Sequence, residues 1–150
     1  MNTASGTRVV PLISSGTAGP LGAVHLPRLW AKLTLANAGV LPDDYDSCGK
    51  GFDQMTIDGL GLNRDRVIEY IKTRKPTYVQ FEQWVVDQNG GTLSKEKIQA
   101  HNDAIFGYNH APDLAGNMRS ASGVKDGSIN DAVTLNMLED LDELYAQVSR

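Results

Sequence analysis

Arg28 and Lys32 stand four residues apart, a spacing that puts a guanidinium and an ammonium on one side of a helix. Such a pair makes an anion grip: the arginine fork takes a carboxylate or phosphate through two parallel hydrogen bonds, and the lysine adds a point charge. The same pair also suits a solvated helix face, with Asp43 or Asp44 as counter-ions. His25 precedes it, and histidine is the side chain best suited to moving a proton near neutral pH. The glycine-rich loop LPDDYDSCGKG (41–51) brings Tyr45 and Cys48, with Asp53 just beyond it. Asp53 is a proton-transfer group or a helix cap. Cys48 beside Lys50, or over a helix N-terminus, would be an activated nucleophile; buried, it would be a small inert hydrophobe. His25, Tyr45, Asp53 and Cys48 are therefore the candidate catalytic residues. Arg28 and Lys32 are the candidate substrate-binding residues, joined by Trp84 as a pocket wall and by His101 and Asn102 on a further helix. Trp84 also suits a core, and His101 also suits a buried, hydrogen-bonded position.

Other chemistries lack their motifs. One cysteine excludes an internal disulfide and any zinc site built on paired cysteines. His25, His101 and His110 form no HExxH, and the run Glu139-Asp140, Asp142-Glu143 lacks a calcium-loop pattern, so no metal is expected. Gly59-Leu60-Gly61 has no strand before it, and no cofactor is expected.

The elements that must position these residues read as helices. Pro27 suits a first turn, and Leu26, Leu29, Trp30, Leu33 and Ala36 recur at helical spacing until Gly39. A short helix follows over 52–58, closed by Gly59 and Gly61. Asn63 caps the next, which bears Val67, Ile68 and Ile71 and ends in Lys72, Arg74 and Lys75 before Pro76. Thr77 and Gln80 form a capping box for a helix carrying Phe81, Trp84 and Val85. Ser94 caps a helix with Ile98 and Ile105. The segment 107–127 is either a lid or adds a helical turn over 113–119. The last helix begins near Thr134, with Leu135, Leu138, Leu141, Leu144 and Tyr145 on its buried side. The expectation is an all-α fold. A single compact helical domain of five or six amphipathic helices occupies 25–150, after an irregular N-terminal arm over 1–24 with an edge strand near 8–13.

Composition bounds the function. The 150 residues carry a net charge of −4, which argues against a nucleic-acid partner, since phosphates need a basic face; Lys72, Arg74 and Lys75 are only a small cluster. No secretory signal or membrane-spanning run is present, so a cytoplasmic protein without membrane contact is expected.

The segment Leu21 to Lys32 (LGAVHLPRLWAK) resembles the opening of an uncharacterised bacterial domain-of-unknown-function family, numbered 5069. The likeness continues through Tyr45, Phe52-Asp53, Ile57 to Leu62 with Gly61, Trp84 and the closing Asp142-Glu143, spanning roughly residues 20–148. Where such proteins tend to have Pro-Leu-Asp, this chain has Gly51-Phe52-Asp53. The resemblance implies a small, mainly helical domain and supplies no reaction. The residues themselves suggest a small cofactor-independent lyase, isomerase or hydrolase. It would act on a small organic anion held by Arg28 and Lys32, with His25, Tyr45 or Asp53 moving a proton. The competing expectation is a non-catalytic helical module that binds a protein or ligand, with room for a homo-oligomer.

Overall fold

The computed structural model describes residues 7–149. Among them are seven helices: α1 (Leu26–Asn37), α2 (Phe52–Gly59), α3 (Arg64–Arg74), α4 (Tyr78–Gln88), α5 (Lys95–Phe106), α6 (Pro112–Ser122) and α7 (Ala132–Val148). Side-chain caps set several of the starts. Asn63, Ser94 and Asp131 each accept from the backbone N–H three residues on, and Thr77 with Gln80 completes a reciprocal capping box.

Three expectations are corrected. The helix count is seven rather than five or six. The extra helix is α6, whose Ala111 start has no capping side chain and whose interior holds Gly116, so its sequence signal is weak. No strand forms over the described residues 8–13, where Val9 N–H donates to the Val40 carbonyl (2.8 Å) outside any ladder. Leu141 and Tyr145 of α7 are exposed, while Ala132, Leu135 and Asp140 are buried. The helix is rolled so that a carboxylate, not its leucine stripe, faces α1.

α1 is the organising rod. Its apolar side, Leu26, Leu29 and Leu33, joins Ile57, Ile71, Phe81 and Val85 in the main core. Burial of these side chains stabilises the fold by roughly 1.5–3 kcal/mol each. Tyr70 stacks on Trp84 at 4.5 Å and Phe81 on Trp84 at 6.0 Å, closing this core under α3 and α4. α2 packs on α5 and α6 on α7. The α2–α5 approach is tight enough that a Cβ at Gly59 would lie 2.9 Å from His101 Nδ1. The opposite side of α1 is buried as well, and it is polar.

Candidate functional site

The polar side of α1 floors a cavity of about 820 Å³. α7 forms one wall, the 44–51 loop another, and α6 the rim. His25 is the N-cap of α1 and adopts φ +69°, a left-handed conformation uncommon outside glycine. Clamps on either side hold it there. His25 N–H donates to the Thr17 carbonyl (3.2 Å), Val24 N–H donates to Asn102 Oδ1 (3.0 Å), and His101 Nε2–H donates to the Val24 carbonyl (2.8 Å). Asn102 Nδ2 also donates to the Gly22 carbonyl (2.8 Å). Strain held in place by its surroundings is common at functional sites.

Asp53, on the first turn of α2, is the hub. Oδ1 accepts from His25 Nε2 at 2.6 Å, while Oδ2 accepts from Lys32 Nζ at 2.6 Å and from Gly49 N–H at 2.7 Å. Burial alone would raise its pKa. The His25 hydrogen bond and the Lys32 charge outweigh that and bring it down to about 2. The carboxylate is thus ionised and only accepts, so His25 carries its proton on Nε2 and leaves Nδ1 as an acceptor. Ser15 Oγ lies 3.0 Å from Nδ1 and must donate. Burial, with the nearby Lys32 and Arg28 charges, lowers the His25 pKa despite Asp53, and the ring is neutral at neutral pH.

Arg28 forms the second hub. Nη1 and Nη2 take Asp140 of α7 through a bidentate pair (2.7 and 3.0 Å), and Nη1 also donates to the Pro11 and Ile13 carbonyls (2.8 and 2.9 Å). Tyr45 O–H donates to Asp140 Oδ1 (2.9 Å). Burial and then this bond push the phenol well above its ordinary range, so Tyr45 stays neutral and orients Asp140. Buried ion pairs are poor sources of stability because desolvation cancels much of the attraction. Two of them lining one cavity point toward chemistry.

The expected site residues therefore divide. His25, Arg28, Lys32, Tyr45 and Asp53 all line the cavity. Arg28 and Lys32 meet it already paired, each with an internal carboxylate. Cys48, on the loop, turns its side chain into the apolar core; burial and then Asp53 raise its pKa, which is the reverse of activation. Trp84 lines a separate, open depression beside Tyr70. His101 and Asn102 do not line the cavity; they hold the 22–24 backbone, and burial lowers the His101 pKa. Outside the cavity, Cys48 thus packs in the core, Trp84 stacks on Tyr70 and Phe81, and His101 and Asn102 clamp the backbone.

Ser15 and Asp140 are site residues that lie outside the expected set, Asp140 entering the sequence only as part of an acidic run. Ser15 meets His25 from ten residues away in a segment read as an arm, and Asp140 meets Arg28 across 112 residues. The available signal for Asp140 was its spacing from Ala132 and Asn136, four residues each, which puts all three on one α7 face.

Seven carboxylates line the cavity (Asp44, Asp46, Asp53, Glu139, Asp140, Asp142 and Glu143) against three cations (Arg28, Lys32 and Lys50). Burial, and then the neighbouring Asp140, raise the Glu139 pKa. Among the described residues, no group of three or more His, Cys, Asp and Glu side chains is placed to hold a metal ion. No helix there is long and apolar enough to cross a membrane. No protein-family model matches the chain, and no curated protein matches it.

Proposed function

We propose that this protein is a small cofactor-independent enzyme of the lyase, isomerase or hydrolase type, with His25 as its general base. One observation carries the reading: a neutral imidazole, on a residue lining a large cavity, whose Nε2–H is fixed by Asp53 at 2.6 Å, leaving Nδ1, 3.0 Å from Ser15 Oγ, as the proton acceptor. Asp53 holds the tautomer, Lys32 keeps Asp53 ionised, and Arg28 with Tyr45 fixes the opposite wall through Asp140. The substrate bears on the roles of the two cations. A small organic anion would have to compete with Asp140 for Arg28 or use the remaining Lys32 donors, against a lining in which carboxylates predominate. The lining charge favours a small substrate that is uncharged or carries an ammonium group. Membership of family 5069 belongs to the proposal too, and the segments that carry the likeness include His25, Arg28, Lys32, Tyr45 and Asp53.

The test is turnover of a mixture of small metabolites followed by proton NMR. Wild-type protein should consume at least one component, and His25→Gln should slow that by about 100-fold or more, the ordinary contribution of a positioned base. Equal rates in the two proteins would remove the reading.

A second reading rests on α7. Met137, Leu141, Tyr145 and Val148 form an exposed apolar stripe along it, which favours a non-catalytic module that binds a protein or a second copy of itself. A sedimentation velocity experiment that finds a monomer at all concentrations, unaltered by Leu141→Lys, would remove self-association from that reading.

A further inference from the structure

We infer that Ser15 is a nucleophile, and that Ser15, His25 and Asp53 form a hydroxyl–imidazole–carboxylate relay for acyl transfer from a small ester lacking negative charge. The inference rests on the acid–base reading above and narrows it to hydrolase chemistry.

Geometry carries it. The hydroxyl lies 3.0 Å from one ring nitrogen, and the carboxylate lies 2.6 Å from the other. A base within hydrogen-bond reach of a hydroxyl, itself oriented by a third group, is the arrangement that activates a serine. Here the roles of the nitrogens are exchanged relative to the familiar serine proteases: Nδ1 faces the hydroxyl and Nε2 the carboxylate. The proton inventory allows one direction only. Asp53 cannot donate, so Nε2 must, and Nδ1 is then left to accept the Ser15 proton. Ser15 is buried, yet it is among the residues that line the cavity. Its segment is anchored to the same site, because Arg28 binds the Pro11 and Ile13 carbonyls just ahead of it. The acidic lining would repel an anionic ester.

The step balances without a co-reactant other than water. Ser15 Oγ bonds to the acyl carbon as its proton moves to His25 Nδ1. The acyl–oxygen bond to the leaving group then breaks, and the leaving alkoxide takes that proton and departs as the alcohol. Water next attacks the acyl carbon and gives a proton to Nδ1. The Oγ–carbon bond breaks, Ser15 recovers the proton, and the carboxylic acid is released. Asp53 offsets the positive charge on the ring while both nitrogens are protonated.

The experiment is labelling with an uncharged alkyl fluorophosphonate, read by intact mass and peptide mapping. One adduct is expected on wild-type protein, at Ser15, and it should be absent from Ser15→Ala and reduced by about 100-fold or more in rate in His25→Gln. Ser15→Cys, a near-isosteric change, should lose fluorophosphonate labelling and gain an iodoacetamide adduct at residue 15 that forms faster than any at Cys48. Folded wild-type protein that takes no label at Ser15, or an adduct that persists in Ser15→Ala, overturns the inference. If His25-dependent turnover survives in Ser15→Ala, the nucleophile falls while the acid–base enzyme stands. If His25→Gln leaves turnover unchanged, the broader reading falls.

Discussion

The two sides of α1 are both buried but obey different rules. On one side Leu26, Leu29 and Leu33 meet Ile71, Phe81 and Val85, and what matters is filled volume. On the other, His25, Arg28 and Lys32 meet Asp53 and Asp140, and what matters is that each charge keeps its partner. An apolar contact weakens by degrees when a side chain changes shape. A buried ion pair that loses one member leaves the other charge without water or a counter-ion. The apolar side makes the molecule fold, and the polar side costs stability that the fold must supply. A costly cluster placed against an 820 Å³ cavity is where function is expected.

The contrast is sharpest under near-isosteric substitution. Asp140→Asn keeps the shape but removes the charge, and it should cost about 3–5 kcal/mol by leaving Arg28 buried without its counter-ion. Leu29→Met, in a fully buried site, should cost only about 1.5 kcal/mol or less. Urea unfolding of both variants tests this. Replacing the pair together, as Arg28→Leu with Asp140→Leu, should recover most of the Asp140→Asn loss; no recovery would mean that the two regions do not differ in kind.

Acid separates the regions without mutation. Asp53 is held at about 2 against an ordinary 3.8, so the folded protein resists its protonation more than the unfolded chain does. The stabilisation, roughly 2 kcal/mol, is complete above pH 4 and is lost as pH falls toward 2. His25 and His101, both lowered from an ordinary 6.5, act in the same direction, with stability declining as pH drops below that value. Unfolding free energies should therefore fall in two stages, and Asp53→Asn should shrink the lower one, leaving the part that the lowered Asp126 and Asp131 contribute. A stability constant from pH 7 to 3 would contradict the assignment.

The smallest expected effect belongs to a purely local feature far along the chain. Thr77→Ala removes one half of the α4 capping box and should cost about 1 kcal/mol. The amide and ring NMR signals of His25 should not move. A shift there would show that the apolar side and the polar side are coupled more tightly than their separate chemistry implies.

Much of the architecture was legible in the residues. The capping box at Thr77, the caps at Asn63 and Ser94 and the Pro27 start of α1 all lie where spacing put them. α6 was harder to read, because an uncapped start and an internal glycine carry little local signal. In the site, His25, Arg28, Lys32, Tyr45 and Asp53 stood out because they crowd two neighbouring segments. Trp84 on its apolar stripe and His101 with Asn102 on one helix face have no local signal that relates them to the cavity, and they lie outside it.

Helix positions follow from interactions between residues three or four apart, and those are written in the chain itself. Which face of α7 turns inward is another matter, because it depends on all the surfaces packed against it at once. The leucine stripe suggested one orientation, while the bidentate claim of Arg28 on Asp140 is met by another. Likewise nothing local joins Ser15 to His25 or Asp53; folding brings them within hydrogen-bond reach. The sequence by itself determined the rods and the identity of the groups, and the tertiary packing decided which charges would be stripped of water and therefore which partners they required.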